Sequence, residues 1–270
     1  MTALLEVDGL DVRYGGARHL AVHDLRFTLA PGEVVGVVGE SGSGKTTLGM
    51  ALLGLLPEGA RATGSVRFDG VELLGATDKR LRPLRGTQLS TIMQNAATAL
   101  NPCFTIGAQM TALLRRHRGL SRAAARAEAI DWLRKVGIPA PDTRLKSYPH
   151  QLSGGMNQRV VIAMALALRP KLVIADEPTS ALDVTVQAAV LRLLRELIDE
   201  SASAMVLITH DLGVVAQLCD KVLVMNGGEV VERGPVAELM TNPTDAYTRR
   251  LLASLPARRA AALDSAGGHG

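Results

Sequence analysis

The chain has 270 residues, enough for one large α/β domain or a core that carries a subdomain. Hydrophobic residues make up 47% and aromatics only 3%, so the core must be built from Ala, Val, Leu and Ile. The net charge of +4 is too small an excess to argue for nucleic acid, and no apolar run approaches the roughly 20 residues needed to cross a bilayer. The longest apolar run, Val160 to Leu168, suits a buried helix. The N-terminus has no basic segment followed by an apolar one, so no signal peptide is expected. Cys103 and Cys219 lack metal-ligand spacing and suit a reducing compartment. The expectation is a cytosolic chain, soluble or held at a membrane through a partner.

In chain order, Leu4 to Val7, Leu20 to Phe27 and Ser65 to Phe68 alternate partially and are broken by Tyr14-Gly15-Gly16 and Asp69-Gly70, which predicts short strands. Val34 to Val38 is a continuous apolar run of the kind found in strands buried on both faces. A Gly-rich loop follows, and then an apolar helix from Thr46 to Leu56, ended by Pro57. Leu89 to Met93 predicts another strand, closing at Gln94. From about residue 96 to 168 the chain is rich in Ala and Arg with no convincing strand, and Ser121 can cap a helix running through Trp132 to Val136. Arg115, Arg116, Arg118, Arg122 and Arg126 recur at the spacing of a polar helix face. Strand signals return at Leu172 to Ala175, Met205 to Thr209 and Val222 to Met225. Between the first two, Val186, Val190, Leu193, Leu194, Leu197 and Ile198 fall on one face of an amphipathic helix. Asn226-Gly227-Gly228 reads as a hairpin turn into Glu229 to Glu232, and the tail 256–270 is expected to be disordered. The pattern is an α/β core interrupted by an all-helical segment, with antiparallel strands at the start and no internal repeat.

Residues Gly39, Glu40, Ser41, Gly42, Ser43, Gly44, Lys45 and Thr46 fit the phosphate-loop pattern G-x-x-x-x-G-K-[ST]. Glycines let the backbone curl so that successive N–H groups, continuing through Thr47, point at phosphate oxygens. Lys45 would place an ammonium on the β- and γ-phosphates, and Thr46 would offer a hydroxyl to Mg²⁺. The apolar strand at Leu172 to Ala175 ends in Asp176 and Glu177, placed to bind the Mg²⁺ shell and to polarise the attacking water respectively. At Ser153, Gly154 and Gly155 a helix begins with open N–H groups and a hydroxyl, which is a second anion site in a chain with one nucleotide loop. Without the other motifs, an ordinary Ser-capped helix would be the better reading there.

These segments together resemble the ATP-binding-cassette ATPases, from the first strands to about residue 252. The resemblance implies a P-loop NTPase (RecA-like) α/β core with an N-terminal antiparallel β subdomain and an inserted all-helical subdomain at about 96–168, in a cassette spanning 1–252. It further implies that Ser153-Gly154-Gly155 touches the γ-phosphate of ATP held by a second ATPase subunit, identical or paralogous. Ser180-Ala181-Leu182-Asp183 is similar to the loop that communicates across that dimer, Gln94 to the glutamine that senses Mg²⁺ and the transporter, His210 to the switch histidine at the γ-phosphate, and Tyr14 to the aromatic that stacks on adenine. The implied partners are membrane permease subunits and an extracytoplasmic substrate-binding protein, with the chain at the cytoplasmic face of the plasma membrane. Gln94 to Pro102, Met156 in the signature and Asn242 to Leu252 are similar to the nickel, dipeptide and oligopeptide uptake branch. The short C-terminus leans toward nickel or metal chelates. His19 and His23 read as strand or loop residues rather than a nickel site. The alternatives are a non-transport complex of the phosphonate-breakdown type and an exporter.

Overall fold

The computed structural model describes residues 3–16, 19–180 and 182–254. The chain splits into two compact units, one formed by Met1–Ala76 with Val206–Gly270 and the other by Thr77–Met205. The expected disordered tail and Ala181 of the dimer-communication loop lie outside the described residues.

The first unit opens with β1 (Leu5–Arg13) and β2 (Val22–Leu29), paired antiparallel with Leu5 opposite Leu29 and Val7 opposite Phe27. The register shifts between Val7 and Leu10, so the buried set on β1 changes parity from Leu5 and Val7 to Leu10 and Val12. A bulge of this kind breaks the period-2 signal. That is why the reading from Leu4 to Val7 catches only the first three residues of a nine-residue strand. Next comes β3 (Val34–Val38), buried at every position, then the Gly-rich loop and α1 (Lys45–Leu52). The helix stops at Leu52 and not at Leu56 before Pro57. Gly54 takes φ +61°, its N–H donates to Ala51 O at 3.0 Å, and the Leu55 N–H donates to Met50 O at 2.8 Å. This is a Schellman termination, and the glycine overrides the apolar run that continues beyond it. Antiparallel β4 (Arg61–Phe68) and the short β5 (Val71–Glu72) complete a four-stranded sheet in the order β2-β1-β4-β5.

The second unit runs through α2 (Asp78–Leu81), β6 (Leu89–Ile92), α3 (Ala96–Ala99), α4 (Ile106–Arg118), α5 (Arg122–Lys135), α6 (Pro141–Arg144), a 3-10 turn at Pro149–Gln151, α7 (Gly154–Leu166), β7 (Leu172–Asp176) and α8 (Val184–Ser201). Strands β6 and β7 are parallel, with Leu89 opposite Leu172 and Ile92 opposite Ala175. Parallel neighbours cannot be joined by a hairpin, so the helices between residues 96 and 166 form the crossover. Thr105 and Ser121 cap α4 and α5 through their hydroxyls, each accepting from the N–H three residues on, and Gly119 at φ +64° separates the two helices. The Ser121 cap is where the sequence placed it.

Strand β8 (Ala204–Thr209), buried throughout, carries the chain back to the first unit. There follow α9 (Leu212–Leu218), β9 (Lys221–Asn226), β10 (Glu229–Pro235), α10 (Val236–Thr241) and α11 (Ala246–Ala253). Strands β9 and β10 form the expected hairpin at Gly227-Gly228, and β9 runs parallel to β3 with Val38 opposite Val224. Val38, Leu212, Val215, Val222, Val224, Val236, Leu239, Tyr247 and Leu252 close into one core cluster. Among the described residues no helix is long and apolar enough to cross a membrane.

The entry into α11 is held by one carboxylate. Glu232 on β10 accepts from the Thr244 N–H (2.6 Å), the Thr244 hydroxyl (2.8 Å) and the Asp245 N–H (3.2 Å). Burial pushes its pKa up, but the Thr248 hydroxyl together with these hydrogen bonds outweighs it and holds the carboxyl below the ordinary glutamate range. A carboxyl depressed in the folded state stabilises the fold above its unfolded pKa and loses that contribution as pH falls through the folded value. Glu232→Ala is therefore expected to lower stability at pH 7 by about 1–2 kcal/mol. In thermal melts the gap to the wild type should close as pH falls below 4.5; a gap that does not change with pH would contradict the charged-acceptor role.

Candidate nucleotide site

In the first unit, β3 is buried on all sides, so its end delivers the loop at a fixed point. The loop is moulded against its neighbours. A Cβ at Gly39 would lie 2.1 Å from Met225 O, and one at Gly44, which sits at φ +100°, would lie 2.2 Å from Ala21 O. Both distances are impossible for a side chain, so glycine is required at each position for space, and at Gly44 for backbone conformation too. Gly228 N–H donates to Ser43 O at 3.1 Å, tying the loop to the β9–β10 turn. Gly44 is also the N-cap of α1 and provides no side-chain cap. The first-turn N–H groups of the helix, starting at Lys45, Thr46 and Thr47, thus have no side-chain cap and form the positive end of the helix dipole.

Lys45 is 7% exposed, and its ammonium donates to Gly39 O and Glu40 O, both at 2.7 Å, with Ser43 Oγ at 3.4 Å. Its charge is held at the centre of the loop by carbonyl dipoles. Thr46 is exposed, while Thr47 is buried and its Oγ1 lies 3.0 Å from the Tyr14 hydroxyl. Tyr14 is thereby brought beside the start of α1. Glu40 offers its N–H to Tyr247 Oη at 2.8 Å, a contact between the loop and α11 that no local sequence pattern signals. His210 is exposed immediately after β8, and the next residue, Asp211, caps α9 by accepting from the Gly213 N–H at 2.7 Å. His23 is on β2 with its Nδ1 3.0 Å from Asp11 Oδ1, a surface pair.

In the second unit the parallel register of β6 and β7 does the assembling. Ile92 faces Ala175, so Gln94 and Glu177, two residues further on, emerge side by side at the carboxyl ends of the strands. Gln94 Nε2 donates to Glu177 Oε2 at 3.3 Å. Glu177 has φ +45°, a left-handed conformation costing a non-glycine residue on the order of 1 kcal/mol. The strain turns the chain at the strand end, and Ser180 N–H and Oγ both approach Glu177 O at 3.3 Å to fix the turn. Asp176 is the last residue of β7 and half-buried.

Ser153, Gly154 and Gly155 lie at the start of α7 as expected. Ser153 is its N-cap, with Oγ accepting from the Met156 N–H at 3.3 Å. The hydroxyl oxygen is engaged, but its proton can still be donated. A Cβ on Gly155 would be 2.7 Å from Val186 Cγ1, so this helix start is pressed against α8. Asp183 caps α8 by accepting from the Val186 N–H at 3.0 Å; its carboxylate has a structural role here besides the one the resemblance implies.

Among the described residues no group of three or more His, Cys, Asp or Glu could hold a metal by itself. A Mg²⁺ carried by nucleotide takes only one or two protein oxygens and fills its shell with phosphate and water. Thr46 in the first unit, and Asp176 and Gln94 in the second, each carry a hard oxygen donor of this kind.

A family profile described as ABC transporter matches residues 22–180. The chain is 49% identical over 94% of its length to the peptidoglycan transport ATP-binding protein YejF of Agrobacterium fabrum, of which it spans 47%. It is 49% identical to the oligopeptide transport ATP-binding protein OppD of Salmonella typhimurium and 48% to the dipeptide transport ATP-binding protein DppD of Escherichia coli, over 94% of this chain and 76% and 79% of those relatives. Among solved structures, a dimeric ATP-binding cassette in a post-hydrolysis state with ADP and Pi superposes with TM-score 0.76 at 27% identity, covering 86% of this chain and 98% of that one. The cbiO1 protein of Clostridium perfringens, part of the ABC transporter complex cbiONQ, superposes with TM-score 0.78 at 25% identity over 98% of this chain and all of its own. The profile covers more than half of the chain and the OppD and DppD relatives are matched over more than two thirds of their own length, so the chain belongs to the ABC transporter family as an ATP-binding cassette that hydrolyses ATP.

Proposed function

We propose that this chain is the ATPase subunit of a peptide importer and that residues 1–252 act as one cassette, with 96–168 as its helical subdomain. The observation that carries the nucleotide half of this reading is the buried Lys45 ammonium, held by the carbonyls of Gly39 and Glu40 at the centre of a loop with an uncapped helix behind it. A cation held in that place is positioned to meet a phosphate oxygen, in surroundings where the attraction exceeds its value in water.

In this reading the N–H groups of residues 39–47 cradle the phosphates and Tyr14 meets the base. Thr46, Asp176 and Gln94 would hold Mg²⁺, which supplies charge neutralisation on the phosphates when bound. Glu177 takes the proton of the attacking water, its carboxylate oriented by the Gln94 amide and the left-handed turn. His210 meets the γ-phosphate from the end of β8. Ser153, Gly154, Gly155 and Asp183 serve ATP held by a second ATPase subunit, identical or paralogous. Closure is favoured by ATP because only the closed pair makes both sets of contacts.

The cargo reading rests on the relatives. The three with the names given above carry peptidoglycan, oligopeptide or dipeptide transport in those names, which favours peptides over nickel or metal chelates. The proposed partners are two membrane permease subunits and an extracytoplasmic binding protein, with this chain on the cytoplasmic face.

Glu177→Gln is expected to keep ATP binding, lose hydrolysis by roughly 10²–10⁴-fold and accumulate as an ATP-bound dimer on a sizing column; unchanged turnover would remove Glu177 as the base. Deleting the gene should abolish uptake of labelled di- and oligopeptides, restored by the wild-type chain and not by Glu177→Gln. Normal peptide uptake with lost nickel uptake would redirect the cargo, and co-purification with soluble enzymes in place of permeases would replace the transport reading.

A further inference from the structure

The contact between Glu40 and Tyr247 has a geometry that reaches Lys45. The N–H of Glu40 and the C=O of Gly39 belong to one peptide group. On one side that group donates to Tyr247 Oη at 2.8 Å, and on the other it accepts from Lys45 Nζ at 2.7 Å. A peptide whose N–H is engaged becomes a stronger acceptor at its carbonyl, because hydrogen bonds in a chain polarise one another. It also cannot rotate without breaking both contacts.

We propose that Tyr247 is a positioning residue for nucleotide binding, holding the Gly39–Glu40 peptide in the orientation that aims the Lys45 ammonium into the phosphate loop. The proposal rests on the reading of that loop as the phosphate site. It makes α11, well over two hundred residues along the chain, part of the nucleotide site without touching nucleotide.

Tyr247 is suited to the task by how firmly it is held. It is 6% exposed and shares a core cluster with Val38, the last residue of β3 from which the loop departs, and with Val222 and Val224 of the neighbouring β9. Asp245 caps α11, accepting from the N–H groups of Tyr247 (2.7 Å) and Thr248 (3.4 Å), and Glu232 fixes the two residues before the helix. The Arg250 guanidinium lies 5.7 Å from the ring centroid. Burial, with the nearby Glu40 charge, pushes the phenol pKa up, so the group meets the loop as a neutral hydroxyl. Lys45 in turn donates to the carbonyls of Gly39 and Glu40 at 2.7 Å each and lies 3.4 Å from Ser43 Oγ.

The test is Tyr247→Phe, which removes one oxygen and leaves the ring in the core. Titration of the full chain with ADP and with a non-hydrolysable ATP analogue is expected to show Kd raised about 3- to 10-fold, the range of one hydrogen bond. The melting temperature without nucleotide should stay at the wild-type value, and hydrogen exchange at the Glu40 amide should accelerate. An unchanged Kd would overturn the proposal. So would a raised Kd accompanied by a lowered nucleotide-free melting temperature, which would make the hydroxyl a stabiliser of the fold alone, or an unchanged exchange rate at Glu40. Lys45→Ala is measured in parallel: wild-type affinity in that variant would sink the phosphate-loop reading itself, independently of what Tyr247→Phe does.

Discussion

Parallel pairing between buried strands is the constraint on which the site depends. Two parallel strands in register end at the same level, so whatever follows their last residues is delivered to the same edge. In the first unit the pairing of β3 with β9 sets the phosphate loop against the β9–β10 turn, closely enough that Gly39 has no room for a Cβ beside Met225 O. In the second, the pairing of β6 with β7 brings Gln94 to Glu177 from 83 positions away along the chain. Neither arrangement needs the functional residues to attract one another. Both follow from the burial of short Val-, Leu- and Ile-rich strands, and the chemistry occupies the ends.

The same economy shows in the polar groups around these ends. Backbone dipoles carry much of the electrostatics: carbonyls hold Lys45, a helix start without a side-chain cap follows the loop, and a left-handed turn aims Glu177. Carboxylates and hydroxyls that the family resemblance links to nucleotide also stabilise local structure, as Ser153 does for α7 and Asp183 for α8. A side chain that caps a helix is held in a known orientation before any ligand arrives, so little ordering is left for binding to accomplish.

Certain elements were legible because their signals are local. The run Val34 to Val38 is apolar throughout because both faces are covered, and the chain does form a fully buried strand there. The amphipathic spacing from Val186 to Ile198 and the Ser121 cap each act within a few residues. Where a signal was interrupted, the reading failed in a way that has a cause. The β1 bulge switches which residues face inward, hiding the second half of the strand, and Gly54 ends α1 four residues before the apolar pattern does.

The sequence by itself determined the residue types of the site: glycines where backbone must curl, a lysine and a threonine at a helix start, two acids after an apolar strand, a serine before two glycines. These are short-range requirements, so they leave a readable pattern. Only the tertiary structure decided what each polar group is bonded to. That Gln94 donates to Glu177, that Tyr14 reaches Thr47 and that Tyr247 grips the Glu40 peptide are outcomes of strand register and helix packing between distant segments. Such pairings carry no spacing of their own, because a hydrogen bond depends on where two atoms lie in space and not on how many residues separate them.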